Sequence, residues 1–119
     1  MMDKPEIGEL VAAVRNFLEQ KAMPELTGHT AFHARVAVNA LDIVLRELAH
    51  GPALEAAERK GLSAFVAEGT LVEMTRALCA KIRDGALTPD TPGLLEQLEA
   101  TTRGKLSVDQ PNYSGLAHA

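Results

Sequence analysis

The fold is decided by the stretch from Gly28 to His50, which reads GHTAFHARVAVNALDIVLRELAH. Apolar residues recur in it every three or four positions and cover nearly half of a helical circumference. So wide an apolar face indicates that this helix has neighbours on more than one side. The spacing predicts a central helix over residues 28–50, about 33 Å long. The dipeptide Gly51-Pro52 predicts that this helix ends there.

The composition favours a helical, globular protein. The chain has 119 residues, of which 46% are hydrophobic and only 3% aromatic, with no tryptophan. Alanine and leucine favour helices, whereas sheets favour β-branched and aromatic residues, so this composition predicts an all-α protein. The length suits one domain, and we predict a single domain over residues 1–119.

Charge and hydropathy exclude several classes of function. The formal net charge is −4 at pH 7 and the 12 lysines and arginines are scattered, whereas a nucleic-acid binder is expected to carry a basic stripe. No apolar run approaches the roughly 20 residues that cross a membrane, and the first residues lack the pattern of a signal peptide. The single cysteine leaves no internal disulfide. We therefore expect a cytoplasmic protein that binds neither nucleic acid nor membranes.

Four further helices are predicted around the central one. Periodicity and capping patterns place them near residues 4–22, 52–67, 70–85 and 91–108, with a tail over 109–119. Five helices joined by short loops favour an up-and-down bundle that is mainly antiparallel. In the first helix, six apolar residues at helical spacing predict one buried face: Ile7, Leu10, Val11, Val14, Phe17 and Leu18.

Local patterns also predict how single helices begin and approach each other. Asp3 and Thr91 each stand just before a proline-containing first turn, so that each is expected to cap it. Thr70 and Glu73 form a second capping-box pattern. Gly61 lies within an apolar stripe, which indicates either a close approach of another helix or a local break.

Polar residues inside the apolar arc of the central helix need an explanation. His29, His33 and Glu47 fall within that arc, and Lys105 falls on the inner stripe of the last helix. Buried charges are costly unless they are paired, so these groups either make structural hydrogen bonds or line a polar pocket. A homodimer is one way to bury the broad apolar face, and an antiparallel partner chain could bring Glu47 closer to the histidines.

The candidate ligand-binding residues are His33, Arg35, Asn39 and Arg46. Two arginines could bind a phosphate or carboxylate, because guanidinium matches such groups bidentately. Interhelical salt bridges are the other interpretation of this polar flank. No catalytic residue is assigned, since Cys79 is expected to be a small buried residue and no phosphate-binding glycine loop or nucleophile elbow is present. We expect no cofactor.

The segment Ala31 to Leu41, with residues 5–17, 48–54, 78–83 and 105–113, resembles a known bacterial family. That family is a small uncharacterised domain found beside, or fused behind, aminoglycoside-phosphotransferase-like kinases. Its genes also tend to neighbour those of acyl-CoA dehydrogenases. The resemblance implies no activity, but it implies a partner. That partner is a separate kinase-like chain in acyl-CoA metabolism, with which this chain would act in trans.

Three functions are therefore open from the sequence. The leading one is a non-catalytic accessory or interaction module for a kinase-like enzyme. The alternative is a small-molecule-binding or enzymatic domain that uses His33, Arg35 and Asn39 in a polar pocket. The third is a metal-binding bundle, since His29 and His33 are four residues apart and could grip a metal ion with a third ligand.

Overall fold

The computed structural model describes residues 3–118, leaving out the side chain of His118. Four α-helices are present in this range: α1 (Ile7–Phe17), α2 (Gly28–Leu62), α3 (Leu71–Arg83) and α4 (Leu94–Asp109). A π-helical segment, Leu18–Ala22, and a 3-10 turn, Met23–Glu25, follow α1, and a second 3-10 segment covers Ser114–His118. None of the residues 3–118 lies in a β-strand, so the prediction of an all-α protein is confirmed. No helix in this range is both long and apolar enough to cross a membrane.

The helix α2 continues through Gly51 and Pro52 for 35 residues, so the predicted break between helices 28–50 and 52–67 is wrong. Pro52 lacks the N–H that would bond to the preceding turn, and a proline ring also conflicts with the backbone N–H and the Cβ of the residue before it. Gly51 has no Cβ. It also does not adopt the left-handed conformation that ends a helix, unlike Gly28, Gly85 and Gly93. The steric conflict that usually stops a helix is therefore reduced at this step.

The chain divides into two compact units, Met1–Gly51 and Pro52–Ala119. The division falls at the glycine–proline step inside α2. The first unit contains α1 and the first part of α2, and the second unit contains the rest of α2 with α3 and α4. A single domain over residues 1–119 stays a prediction.

The second unit holds an apolar core between the end of α2, the middle of α3 and the start of α4. Five buried side chains form it: Leu62, Val66, Met74, Leu78 and Leu94. Met74 is the most enclosed of them, with 1% of its surface exposed. A Cβ on Gly61 would collide with the side chain of Gln97, so the close helix approach predicted at Gly61 is confirmed.

The start of α3 is the predicted capping box. The Thr70 hydroxyl accepts the N–H of Glu73 at 3.2 Å, and the Glu73 carboxylate accepts the N–H of Thr70 at 2.9 Å. The backbone bond from Thr70 to this carboxylate lowers the pKa of Glu73. Two orphan donors of the helix terminus are satisfied in this way.

The first helix begins later than predicted. Its N-cap is Glu6, and the N–H of Glu6 donates to the Glu9 carboxylate at 3.4 Å, so the predicted cap by Asp3 is wrong. The α-helix ends at Phe17 and the π-helical segment that continues it ends at Ala22, which agrees with the predicted end near residue 22; a short 3-10 turn, Met23–Glu25, follows.

The last helix begins at Leu94, after Gly93, and runs to Asp109, so the predicted start at residue 91 is wrong. Gly93 has a φ of 83°, which glycine adopts without the strain that a side chain would cause. The Thr91 hydroxyl, predicted to cap this helix, instead accepts the N–H of Thr88 at 2.9 Å within the loop. The Thr91 hydroxyl therefore closes the loop that precedes α4 and does not cap the helix.

We expect Met74→Ala to lower the free energy of unfolding by about 2–5 kcal/mol, because truncation of a buried methionine leaves a cavity. Val72→Ala is the matched control, since Val72 lies on the same helix and is 60% exposed. The control is expected to change the free energy by no more than about 0.5 kcal/mol. Urea denaturation followed by circular dichroism measures both. Equal losses in the two variants would contradict the core described above.

Candidate functional site

A polar network joins α1 to α2 in the first unit. Arg15 donates from Nε to Asp42 Oδ1 at 2.7 Å and from Nη1 to Glu19 Oε1 at 2.8 Å. Arg35 donates from Nη1 to the other oxygen of Glu19 at 3.0 Å. Arg15 is therefore bonded to Asp42, and Glu19, further along the chain, is bonded to Arg35, which lies earlier in α2. Two arginines and two carboxylates thus alternate along one edge of this helix pair.

Each arginine of this network favours the ionised form of the carboxylate that it contacts, and each carboxylate favours the charged form of its arginine. Arg35, and then Arg15, lower the pKa of Glu19 through hydrogen bonds to its carboxylate. Asp42 and Glu19 raise the pKa of Arg15 in the same way. Because each guanidinium is balanced by a carboxylate, this edge is better suited to joining two helices than to binding an anion. The interpretation of Arg35 as an interhelical salt bridge is confirmed.

The four candidate ligand-binding residues do not lie on one face of α2. At about 100° per residue, Arg35, Asn39 and Arg46 fall within roughly 40° of one another, whereas His33 lies roughly 160° from Arg35. His33, Arg35 and Asn39 are exposed, and Arg46 is half-buried. A shared site of the four stays a prediction, and their geometry separates His33 from the other three.

Several polar residues within the predicted apolar arcs are exposed, and so is the cysteine that was predicted to be buried. On α2 the residues that face α1 are centred on the buried Ala34 and Val38, so the arc that holds the unexplained polar groups is left open. On α3 the buried face is formed by Met74 and Leu78. The prediction that Cys79 is buried is wrong, because it is exposed. The other exposed residues, for which burial and a pocket were both open, are His29, His33, Glu47 and Lys105.

An exposed apolar face runs along the first part of α2. Its large side chains are 41–64% exposed: Phe32, Val36, Val44 and Leu48. Five smaller or polar residues lie between them on one line, within roughly 40° of the helical circumference: His29, His33, Ala40, Glu47 and Gly51. We call these nine residues the α2 face. Phe32 and Val36 lie on one side of the line, and Val44 and Leu48 on the other.

The helix α1 also exposes large apolar side chains. The prediction that they form a buried face is wrong, because they are 43–60% exposed: Ile7, Leu10, Val14 and Phe17. We call these four residues the α1 stripe. The stripe lies roughly 140° around α1 from the edge made by Arg15 and Glu19. The edge that is bonded to α2 therefore turns the stripe away from it, while Val11 and Leu18 are half-buried.

No group of three or more histidine, cysteine, aspartate or glutamate side chains is placed to hold a metal ion within the described part of the chain. A metal site needs at least three protein ligands. The metal site at His29 and His33 stays a prediction that has no third ligand among the side chains of residues 3–117; His118, a further candidate ligand, lies outside the described side chains.

The network of Arg15, Glu19 and Asp42 was not predicted from the sequence. Arg15 and Glu19 are four residues apart, which signals a helical ion pair. The third member lies on another helix, and no local spacing connects Asp42 to α1. Only the charge of Asp42, close to the apolar arc of a long helix, indicated that it needs a partner.

A family model described as "Domain of unknown function (DUF6285)" matches residues 24–113. The match includes α2, α3 and α4 with the whole α2 face, whereas the α1 stripe precedes it. No curated protein and no solved structure matches the chain.

We expect Glu19→Gln to destabilise the protein at neutral pH and to have a decreasing effect as the pH falls. The folded state lowers the pKa of Glu19, so the ionised carboxylate stabilises the fold above its unfolded pKa of about 4.3. This contribution is lost as the pH falls through the lower folded pKa. The melting temperature, measured between pH 3 and 7, should differ most between wild type and variant at pH 6–7.

Glu25→Gln is the control for this measurement, because Glu25 is an exposed glutamate in the turn after α1. Its melting temperature should follow that of the wild type at each pH. A gap between the wild type and Glu19→Gln that stays constant across the range would show that ionised Glu19 does not stabilise the fold.

Proposed function

The chain belongs to the DUF6285 family, and we propose from this premise that it is a cytoplasmic, non-catalytic interaction module. Its partner is a separate chain similar to the aminoglycoside-phosphotransferase-like kinases, and the pair works in acyl-CoA metabolism. The resemblance noted over residues 31–41 supports this choice of partner.

The exposed apolar surface of the first unit is the observation that carries the proposal. Eight large apolar side chains, on the α1 stripe and the α2 face, are each 41–64% exposed. Monomeric soluble proteins rarely leave a contiguous apolar patch larger than about a few hundred Å² open to water, and larger ones mark interaction sites. The first unit is therefore better suited to protein binding than to enclosing a substrate.

The α1 stripe is the surface that we assign to the kinase-like chain. Its residues follow one another at spacings of three, four and three, which is the pattern of a helix that lays its apolar side into a groove. The Arg15–Glu19 edge holds α1 against α2 and keeps the stripe facing outward. A kinase-like partner with an apolar groove of about three helical turns would match it.

The helix arrangement that we propose is the antiparallel one expected from the short loops. The bonds of Arg15 to Asp42 and of Arg35 to Glu19 support it for α1 and α2, because the partners run in opposite order. An antiparallel pair of this kind presents both outer faces to a partner.

A small-molecule site on α2 has less support. Ligand pockets are concave and converge a few polar groups on one point. His33, Arg35 and Asn39 are exposed instead and point around a wide arc of the helix, and Arg35 is bonded to Glu19.

We expect the chain and the kinase-like protein to form a complex at micromolar concentrations of both, observed by size-exclusion chromatography. Val14→Asp should weaken this complex by about tenfold or more, because it places a charge within the apolar contact. Leu95→Asp is the control, since both residues are 54% exposed and Leu95 lies in the second unit. Absence of a complex would contradict the proposal. Equal weakening by both variants would show that the α1 stripe is not the surface used.

A further inference from the structure

We propose that a second copy of this chain covers the α2 face, through an antiparallel contact between two α2 helices with a two-fold axis at Ala40. This inference does not rest on the kinase-like partner, which is assigned to the α1 stripe. Both contacts use the first unit, and each can be tested while the other is intact.

The large apolar residues of the α2 face lie in pairs about Ala40. In an antiparallel pair centred there, residues that are equally distant from position 40 in the two copies share one layer of the contact. Val36 then lies in one layer with Val44 of the second copy. In the symmetry-related layer, Val44 of the first copy lies with Val36 of the second. Phe32 and Leu48 stand further out, where they cover the two edges of the contact and exclude water. Every large side chain of the face is used.

The centre of the face has the small residues that a close helix pair needs. Ala40 meets its own copy on the axis, where helices packed at about 8–10 Å leave room only for a small side chain. His29 shares a layer with Gly51, which is buried beneath the carboxylate of Glu47. His33, Ala40 and Glu47 are seven residues apart, and a line at this spacing stays in contact with a partner helix in a left-handed crossing of about 20°.

The same symmetry pairs the two polar, ionisable positions nearest the axis. His33 shares a layer with Glu47 of the second copy, and this pair occurs twice in the dimer. In a single chain the two residues are 14 positions apart, or about 21 Å along one helix, and cannot meet. The carboxylate of Glu47 leans over Gly51, on the line of the contact. The pairing explains why an imidazole and a carboxylate stand within an apolar face.

A second copy fits these observations better than an unrelated occupant. A surface shaped for a different protein has no reason to place its large apolar residues in pairs about one of its own residues, and in the same register to place an imidazole opposite a carboxylate. A lipid surface is disfavoured by Glu47 on the central line and by a net charge of −4. The two-fold contact is the commonest form of homo-oligomer, and it requires this self-complementary pattern.

The register is tested by cysteine cross-linking of the full chain. The background is Cys79→Ser, because the native thiol is exposed. We expect Ala40→Cys to form a disulfide-linked dimer under mild oxidation, read on a non-reducing gel. Val36→Cys is the matched control, since its two copies would be about 12 Å apart along the axis, beyond the roughly 7 Å that a disulfide spans between Cα atoms. It should cross-link at least about tenfold more slowly, and a mixture with Val44→Cys should restore the rate.

The charge pairing is tested with His33→Glu and Glu47→Lys. His33→Glu brings two carboxylates together, and Glu47→Lys places an ammonium beside an imidazole, so each variant alone should weaken the dimer by about tenfold or more. A mixture of the two should form heterodimers, because the carboxylate introduced at position 33 of one chain then meets the ammonium introduced at position 47 of the other. Sedimentation velocity gives the dissociation constants, and native mass spectrometry identifies the heterodimers.

The outcomes separate this inference from the proposed function. A dimer with fast cross-linking at position 40 and heterodimers from the mixed variants supports the contact, whether or not a kinase-like partner binds. A chain that stays monomeric at about 100 µM overturns it. Equal cross-linking at positions 36 and 40, or a mixture that forms no heterodimer, also overturns it. Val14→Asp should leave the dimer intact.

Discussion

The first part of α2 has more apolar circumference than one neighbouring helix can cover, and the organisation of the first unit depends on this imbalance. The helix α1 meets α2 on the side of Ala34 and Val38, which are buried. The opposite side, with Phe32 and Leu48, remains 43–64% exposed. Since apolar area is costly in water at about 25 cal/mol per Å², this face is the one that the proposed contact with a second copy would cover.

The polar edge of Arg15, Glu19, Arg35 and Asp42 determines which surfaces remain open. Salt bridges that are partly exposed contribute little to stability, but a set of four that alternates in charge accepts few arrangements of the two helices. With Arg15 bonded to both Asp42 and Glu19, α1 cannot rotate its apolar stripe onto α2 without breaking these bonds. The network therefore has a positioning role. In this arrangement the α1 stripe faces outward, and Val11 and Leu18 are the half-buried apolar residues.

The sequence allowed prediction of what depends on local spacing. The helical class, the capping box of Thr70 and the membership of Glu47 and His33 in the apolar arc all follow from periods of three and four residues. What covers a face does not follow from its period, so Phe17 was expected to be buried and is 60% exposed. The continuation through Pro52 was missed for another reason. Glycine and proline often mark helix ends, but here Gly51 has no Cβ and so removes one of the clashes that a proline ring causes.

The grouping of the candidate site residues could not be predicted from local spacing either. Arg35 and His33 were grouped because they are close in sequence, yet two residues along a helix place them on nearly opposite sides of its axis. Their separation resolves the site into two features: Arg35 belongs to the edge that holds α1, and His33 belongs to the face that α1 leaves open. If two copies cover that face, the dimer carries two α1 stripes. A partner that bound both at once would gain affinity from their linkage without any new contact. In that arrangement the α2 face would hold the two copies together, and the two α1 stripes would remain open to bind another protein.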